Sequence, residues 1–135
     1  QKENLRNIVK NTKVVLTCAG PFEKYGQDLV QICAEEGVHY GDITGETDFV
    51  REMIHRHDTT ARLSGACIIS HCGNDCIPQD LMVYELNSKA QEYNCTLQSV
   101  ETFVEVPASA SYSGGTVATA AYQLQKKRGE RSTNF

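Results

Sequence analysis

The chain has 135 residues, 40% of them hydrophobic, and a formal net charge of -4 at pH 7. This length suits one domain with a buried core. The mild acidity, with one small basic cluster at Lys126-Lys127-Arg128, argues against a nucleic-acid partner. No apolar run reaches the roughly 18 residues of a membrane span, and the polar first residues do not match a secretory signal peptide.

The pattern alternates between helix and strand. Apolar residues at helical spacing predict that a first helix ends near Val9. Residues 13–18 form a nearly continuous apolar run rich in β-branched side chains, which is typical of a parallel strand covered on both faces. A break at 19–22 separates this strand from a predicted helix over 26–36. Gly37 is a typical helix stop.

Two further strand–helix pairs follow. Residues 39–43 predict a second strand, and 49–64 an amphipathic helix. Residues 66–70 predict a third strand of the buried type, and the loop 71–76 leads to a helix that Pro78 can open at its first position. We expect the inward face of this helix to contain Leu81, Met82 and Leu86.

The pattern changes near residue 90. From Cys95 to Val106, apolar and acidic residues alternate with a period of two, which is typical of a half-exposed antiparallel strand. A small-residue loop, 108–115, precedes a final helix from about Thr116, whose inward face is predicted to contain Val117, Ala120, Ala121 and Leu124. These elements predict an α/β protein, with a doubly wound parallel sheet in 1–90 and a second domain beginning in 91–135.

Three loops are expected at one edge of the sheet, because ligands bind beyond the carboxyl ends of parallel strands. They are 18–22, 42–46 and 71–75. Each combines glycine, which lets a ligand approach the backbone, with groups that can form hydrogen bonds. The residues alone leave open that these loops are ordinary turns.

Histidine titrates near neutral pH, so His71 is a candidate acid or base, and Asp75 is a second catalytic candidate. The alternative is structural. His71 would then bond to the backbone, Asp75 would cap the helix near Pro78, and Glu46 would cap or brace the helix that follows it.

The chain has six cysteines. Cys18, Cys33 and Cys67 occupy buried-type positions, where a free thiol behaves as a small hydrophobe, and this favours a reduced, intracellular protein over a secreted one. Zinc-type ligands are close together at Cys67, His71, Cys72 and Cys76, but their spacing matches no standard pair, so no metal site is predicted. A redox role for Cys72 or Cys76, near a helix N-terminus, is an alternative.

Three sequence islands carry a resemblance to a known family. They read CAGPFEKYG from Cys18, YGDITGE from Tyr40 and CGNDCIPQDL from Cys72. In this order and spacing they resemble the saccharopine dehydrogenase-like oxidoreductases. More loosely, the segment 113–116 is similar to a GGT segment that opens a helix in the second domain of that family.

The resemblance implies a Rossmann-type domain that binds NAD or NADP, followed by the start of an α+β second domain, with hydride transfer as the reaction. It implies cofactor contacts at Cys18, Ala19, Gly20, Pro21, Phe22, Asp42, Gly45, Glu46, Cys72, Gly73 and Asn74. Two departures, Asn74 in place of an aromatic residue and Cys76 in place of serine, leave open the shape of the pocket near the third island.

The glycine-rich turn that holds the pyrophosphate in this family would precede residue 1, so we expect this chain alone to bind dinucleotide weakly or not at all. The resemblance does not choose between small-molecule and lipid-linked substrates, such as saccharopine, a lipid-linked enoyl group or other imines and alkenes. It leaves open a homodimer through the second domain and a cytoplasmic or organelle-associated location. The alternative is a catalytically silent nucleotide-fold module that serves as an interaction or scaffold protein.

Overall fold

The computed structural model describes residues 2–105 and 111–125. In chain order the elements are α1 (Lys2–Lys10), β1 (Val14–Thr17), α2 (Phe22–Tyr25), α3 (Gln27–Glu36), β2 (His39–Asp42), α4 (Thr47–Ser64), β3 (Ile68–Ile69), α5 (Ile77–Glu92) and α6 (Gly114–Gln125). The predicted Val106, part of the following loop and the basic cluster at 126–128 lie outside the described residues. None of the helices in the described ranges combines the length and apolar character that a bilayer crossing requires.

The sheet contains three parallel strands in the order β1-β2-β3. Its register pairs Thr17 with Asp42 and Gly41 with Ile69, so that the strands end at a common edge. The predicted α/β class and the parallel pairing of these strands are confirmed. The sheet order follows the chain order, and each strand is joined to the next by helical segments.

Two glycines in the left-handed conformation end the helices that flank β2. Gly37 ends α3 with a φ of 72°, and Gly65 ends α4 with a φ of 80°. A side chain at Gly37 would also place its Cβ 2.9 Å from the carbonyl oxygen of Ser64. Both features favour glycine, so the predicted stop at Gly37 is confirmed.

The core lies between one face of the sheet and the helices α1, α3 and α4. Its largest fully buried apolar side chains include Phe49, Ile32, Val9 and Val30. Val15 packs against the same cluster from the sheet. On the surface of this layer, ion pairs from α1 to α3 join Lys2 to Asp28, Arg6 to both Glu35 and Glu36, and Lys10 to Glu36.

The opposite face of the sheet is open among the described residues, which corrects the prediction of strands covered on both faces. Leu16 is 80% exposed, and Val14 and Ile69 are about half exposed. Helices α3 and α4 both pack into the single cluster on the other face. Cys18 and Cys67 are therefore exposed, contrary to prediction, whereas Cys33 is buried as predicted.

Three further predictions after residue 70 are wrong. Residues 95–105 form no strand, because no neighbouring strand in the described parts of the chain supplies hydrogen-bond partners. Helix α5 forms near the predicted position, but its expected inward residues Leu81, Met82 and Leu86 are exposed. Helix α6 also forms, yet its predicted inward residues Val117, Ala120, Ala121 and Leu124 are exposed.

Gly26 is required by packing rather than by backbone conformation. It has ordinary right-handed helical angles, in which alanine is normally favoured by about 1 kcal/mol. An added Cβ, however, would lie 2.8 Å from the Phe22 carbonyl oxygen and 3.1 Å from Cζ of Phe49. We expect Gly26→Ala to lower the free energy of unfolding by about 1–3 kcal/mol in a urea titration. Stabilisation by this substitution would contradict the packing described here.

Burial should protect one thiol. Burial raises the pKa of the Cys33 thiol to about 11, while Cys18, Cys67 and Cys95 are exposed. At about pH 8 we expect iodoacetamide to modify these three cysteines and to leave Cys33 unmodified until the protein is unfolded, since the thiolate is the reactive form. Peptide mass spectrometry would measure this, and modification of Cys33 at the rate of Cys95 would show that the core is open.

Candidate functional site

The three strand-end loops meet at the carboxyl edge of the sheet. The amide of Cys72, in the third loop, donates to the Asp42 carbonyl oxygen over 2.7 Å. Gly73 lies against Ile43, where an added Cβ would come within 3.4 Å of the Ile43 Cβ. The register of the parallel strands thus places the first loop, the second loop and the third loop side by side, as predicted.

Asp42 organises the second and third loops. Its side chain is only 1% exposed. One carboxylate oxygen accepts from the Thr44 amide over 3.0 Å and the His71 amide over 3.3 Å. The other accepts from the Tyr40 hydroxyl over 2.8 Å and the Ser70 hydroxyl over 3.2 Å. Burial and the Asp42 charge raise the pKa of Tyr40, so its hydroxyl stays protonated as the donor.

Glu46 joins the second loop to the first. Its side chain is 3% exposed, and its two carboxylate oxygens accept from the Phe22 amide over 2.8 Å and the Glu23 amide over 2.7 Å. These amides belong to the first turn of α2. Glu46 also precedes α4, but its side chain makes no capping bond to that helix. The prediction was that Glu46 caps or braces the helix that follows it, and the capping part of this prediction is wrong, since the side chain caps α2 instead.

The two acid–base candidates differ in their surroundings. His71 has a φ of 62°, and its Nδ1 donates to the Thr44 carbonyl oxygen over 2.7 Å. This bond to the backbone is the structural role predicted as the alternative to acid–base catalysis. Asp75 is exposed, and the α5 cap position belongs to Cys76, which makes no side-chain capping bond. The capping role predicted for Asp75 is therefore wrong.

A cleft of about 300 Å³ opens between these loops and α6. The strand-end loops contribute Cys18, Gly20, Phe22, Ile43, Gly45, Glu46 and Asp75. The α6 region contributes Ser113, Gly115, Thr116, Thr119 and Ala120. A wider groove of about 540 Å³, lined in part by His71, shares Asp75 with the cleft.

The cleft brings together part of the predicted cofactor set. The members that line it are Cys18, Gly20, Phe22, Gly45 and Glu46. The members that do not line it are Ala19, Pro21, Asp42, Cys72, Gly73 and Asn74. Sequence reasoning did not assign Thr116 and Thr119 to a site. The similarity of 113–116 to a GGT segment indicated only that a helix of the second domain begins there.

No potential metal site occurs within 2–105 and 111–125, where no three histidine, cysteine, aspartate or glutamate side chains converge. Of the zinc-type ligands considered from the sequence, His71 has its Nδ1 bonded to a backbone carbonyl, and Cys72 directs its thiol toward the Ile69 carbonyl oxygen over 3.5 Å.

No family model matches the chain. A trans-acting enoyl reductase of Mycobacterium leprae is 42% identical over 92 residues, which cover 68% of this chain and 22% of that protein. A putative trans-acting enoyl reductase of Mycobacterium tuberculosis is 36% identical over 123 residues, covering 85% and 27%. A trans-acting enoyl reductase of Mycobacterium ulcerans is 38% identical over 121 residues, covering 88% and 29%. The chain spans about a quarter of the length of these relatives.

These relatives correct the family assignment made from the sequence islands. They match most of the chain and are named trans-acting enoyl reductases, not saccharopine dehydrogenase-like proteins. The prediction of a saccharopine dehydrogenase-like family is wrong. The islands describe loops at the edge of a sheet, and such loops are used by enzymes that act on different substrates.

The buried carboxylate of Glu46 should be important for stability. We expect Glu46→Ala to lower the free energy of unfolding by about 2–4 kcal/mol, because the amides of Phe22 and Glu23 lose a charged acceptor. The matched control is Glu52→Ala, which removes an exposed ion pair with Arg56 on α4 and should cost less than about 1 kcal/mol. Equal losses in urea titrations would contradict the role assigned to Glu46.

Proposed function

We propose that this chain is part of an oxidoreductase that reduces the carbon–carbon double bond of an enoyl group with a nicotinamide dinucleotide. The observation that carries the proposal is the cleft at the carboxyl edge of the parallel sheet, where ligands bind in open α/β folds. The relatives named trans-acting enoyl reductases support the type of reaction. Since the chain spans about a quarter of their length, the activity is proposed for the longer polypeptide.

The topology supports a Rossmann-type domain. The unit β1-α3-β2-α4-β3 has strands in sequential order and its helices on one face, as in one half of a doubly wound sheet. On this proposal, residues 1–90 are the later half of the dinucleotide-binding domain. The exposed β1 edge would then adjoin the other half, and residues 91–135 would begin a second, α+β domain.

The charges in the cleft favour one end of the cofactor. Glu46 and Asp75 line the cleft, and none of its described lining residues is basic. At the start of α6, the amide of Thr116 already donates to the Ser113 hydroxyl over 3.2 Å. Carboxylates accept hydrogen bonds from ribose hydroxyls and an amide, but they repel phosphate. We therefore assign the cleft to the nicotinamide and its ribose, and the pyrophosphate to another part of the polypeptide.

The size of the cleft agrees with this assignment. Its volume of about 300 Å³ is at the lower end of the roughly 300–1,000 Å³ of ligand pockets, so it would hold one end of a dinucleotide. The nicotinamide would supply the hydride, while this chain binds, orients and shields the ring. Of the two acid–base candidates, Asp75 lines the cleft and His71 does not, so Asp75 is better placed to accept a hydrogen bond from the ligand.

The role proposed for Asp42 changes accordingly. Both of its carboxylate oxygens already accept two hydrogen bonds from the protein. We propose that Asp42 shapes the second and third loops and does not contact the cofactor. Gly45, by contrast, faces open space, since an added Cβ would have no atom within 4 Å.

The reaction can be tested with the full-length polypeptide that carries this segment. Titration with NADPH and with NADH, followed by fluorescence, should give a saturable signal with one of them. Addition of an enoyl thioester should then oxidise the reduced nicotinamide and yield the saturated thioester by mass spectrometry. Binding of a flavin instead would show that the proposed cofactor is wrong. If neither a nicotinamide dinucleotide nor a flavin binds, the scaffold alternative is favoured.

Gly45 offers a graded test of the cleft. We expect Gly45→Leu to weaken binding of the nicotinamide dinucleotide at least tenfold by filling the cleft, and Gly45→Ala to have a smaller effect. Both variants should keep the free energy of unfolding within about 1 kcal/mol, because the added atoms meet open space. Thr59→Leu, on the exposed side of α4, is the surface control. Unchanged binding in Gly45→Leu would remove the cleft from the cofactor site.

A further inference from the structure

Glu46 lies where three walls of the cleft meet. It directly precedes α4, and its carboxylate binds the first amides of α2. The oxygen that accepts from Phe22 also accepts from the Thr119 hydroxyl of α6 over 3.3 Å. One buried carboxylate therefore connects elements that are 73 residues apart in the chain.

Helix α6 is held against the loops by polar contacts. In addition to the hydroxyl of Thr119, the side-chain amide of Gln123 donates a hydrogen bond, to the Glu23 carboxylate over 3.4 Å. None of the residues 114–125 is buried, and Val117 and Leu124 are 59% and 76% exposed. Burial of apolar surface consequently contributes little to the position of α6, which depends on these hydrogen bonds.

We propose that Glu46 is a positioning residue that couples the docking of α6 to the first loop, so that α6 closes the cleft over the bound ligand. The identification of that ligand as a nicotinamide dinucleotide rests on the proposed function. Thr116 and Ala120 of α6 line the cleft together with Gly20 and Gly45 of the strand-end loops, so a ligand in it would touch both walls. Ligand binding and α6 docking therefore strengthen each other by the same factor.

Hydrogen exchange can report the docking of α6 without any ligand. Isolated helices shorter than roughly 12–15 residues are only marginally stable in water, and α6 has 12 residues, so it should largely unfold when it leaves the loops. The exchange rate of its backbone amides in the full-length polypeptide then measures how often it undocks.

Thr119→Val removes the hydroxyl and keeps the shape of the side chain, whereas Thr119→Ser keeps the hydroxyl. We expect the valine variant to exchange amides of 114–125 about threefold to tenfold faster, as for the loss of one typical hydrogen bond. The dissociation rate of NADPH should rise by a similar factor, with little change in its association rate. The serine variant should restore both rates.

A second variant should act in the opposite direction. Gln123→Lys places a cation beside the Glu23 carboxylate, so it should slow amide exchange in 114–125 and slow release of NADPH.

The outcomes separate this proposal from the proposed function. One outcome is that the wild-type protein binds neither NADPH nor NADH, while Thr119→Val accelerates amide exchange in 114–125 and Thr119→Ser restores the slower rate. In that case the coupling through Glu46 stands and the cofactor assignment is wrong. If NADPH binds and Thr119→Val leaves both the exchange and the dissociation rate unchanged, the coupling is overturned and the cofactor assignment stands. Equal acceleration by valine and serine would also overturn it, because the hydroxyl would then be irrelevant.

Discussion

Two buried carboxylates hold the edge of this sheet together. Asp42 and Glu46 are each almost fully buried, and between them they accept from four backbone amides as well as from hydroxyl groups. Burial of a charge without partners would cost several kcal/mol, so the loops must supply these donors. The loop conformations at the carboxyl edge follow from this requirement, and the cleft is the space that the satisfied loops leave open.

The parallel register explains why two residues suffice. Because Thr17 pairs with Asp42 and Gly41 with Ile69, the three strands end together, and a carboxylate at or just after the end of β2 can reach a neighbouring loop. Asp42 reaches toward β3, and Glu46 reaches toward β1. A slip of one residue would turn the Asp42 side chain to the open face of the sheet, where these donors are absent.

Local patterns predicted the elements well where contacts within the described chain decide the structure. The strand from Val14, the helix that ends at Gly37 and the loops at one edge all follow from apolar periodicity and turn residues. Burial was predicted less well. Leu16 and Leu81 lie in apolar patterns that indicate a covered face, yet both are exposed. An apolar pattern shows that a side chain favours burial, but it does not show which element packs against it. For the same reason, the alternating residues 95–105 form no strand without a partner.

The candidate site shows the same division. Sequence islands indicated the residues near the cleft, but they could not distinguish ligand contacts from structural contacts, since both use glycine and carboxylates. The saturation of Asp42 by protein donors and the open space at Gly45 appear only in three dimensions. Glu46 belongs to both groups, because it lines the cleft while its oxygens hold α2 and α6. Because the carboxylate of Glu46 faces the cleft and also accepts from α6, a ligand that contacts it would act on the position of α6, which makes α6 the element through which the cleft would respond to its occupant.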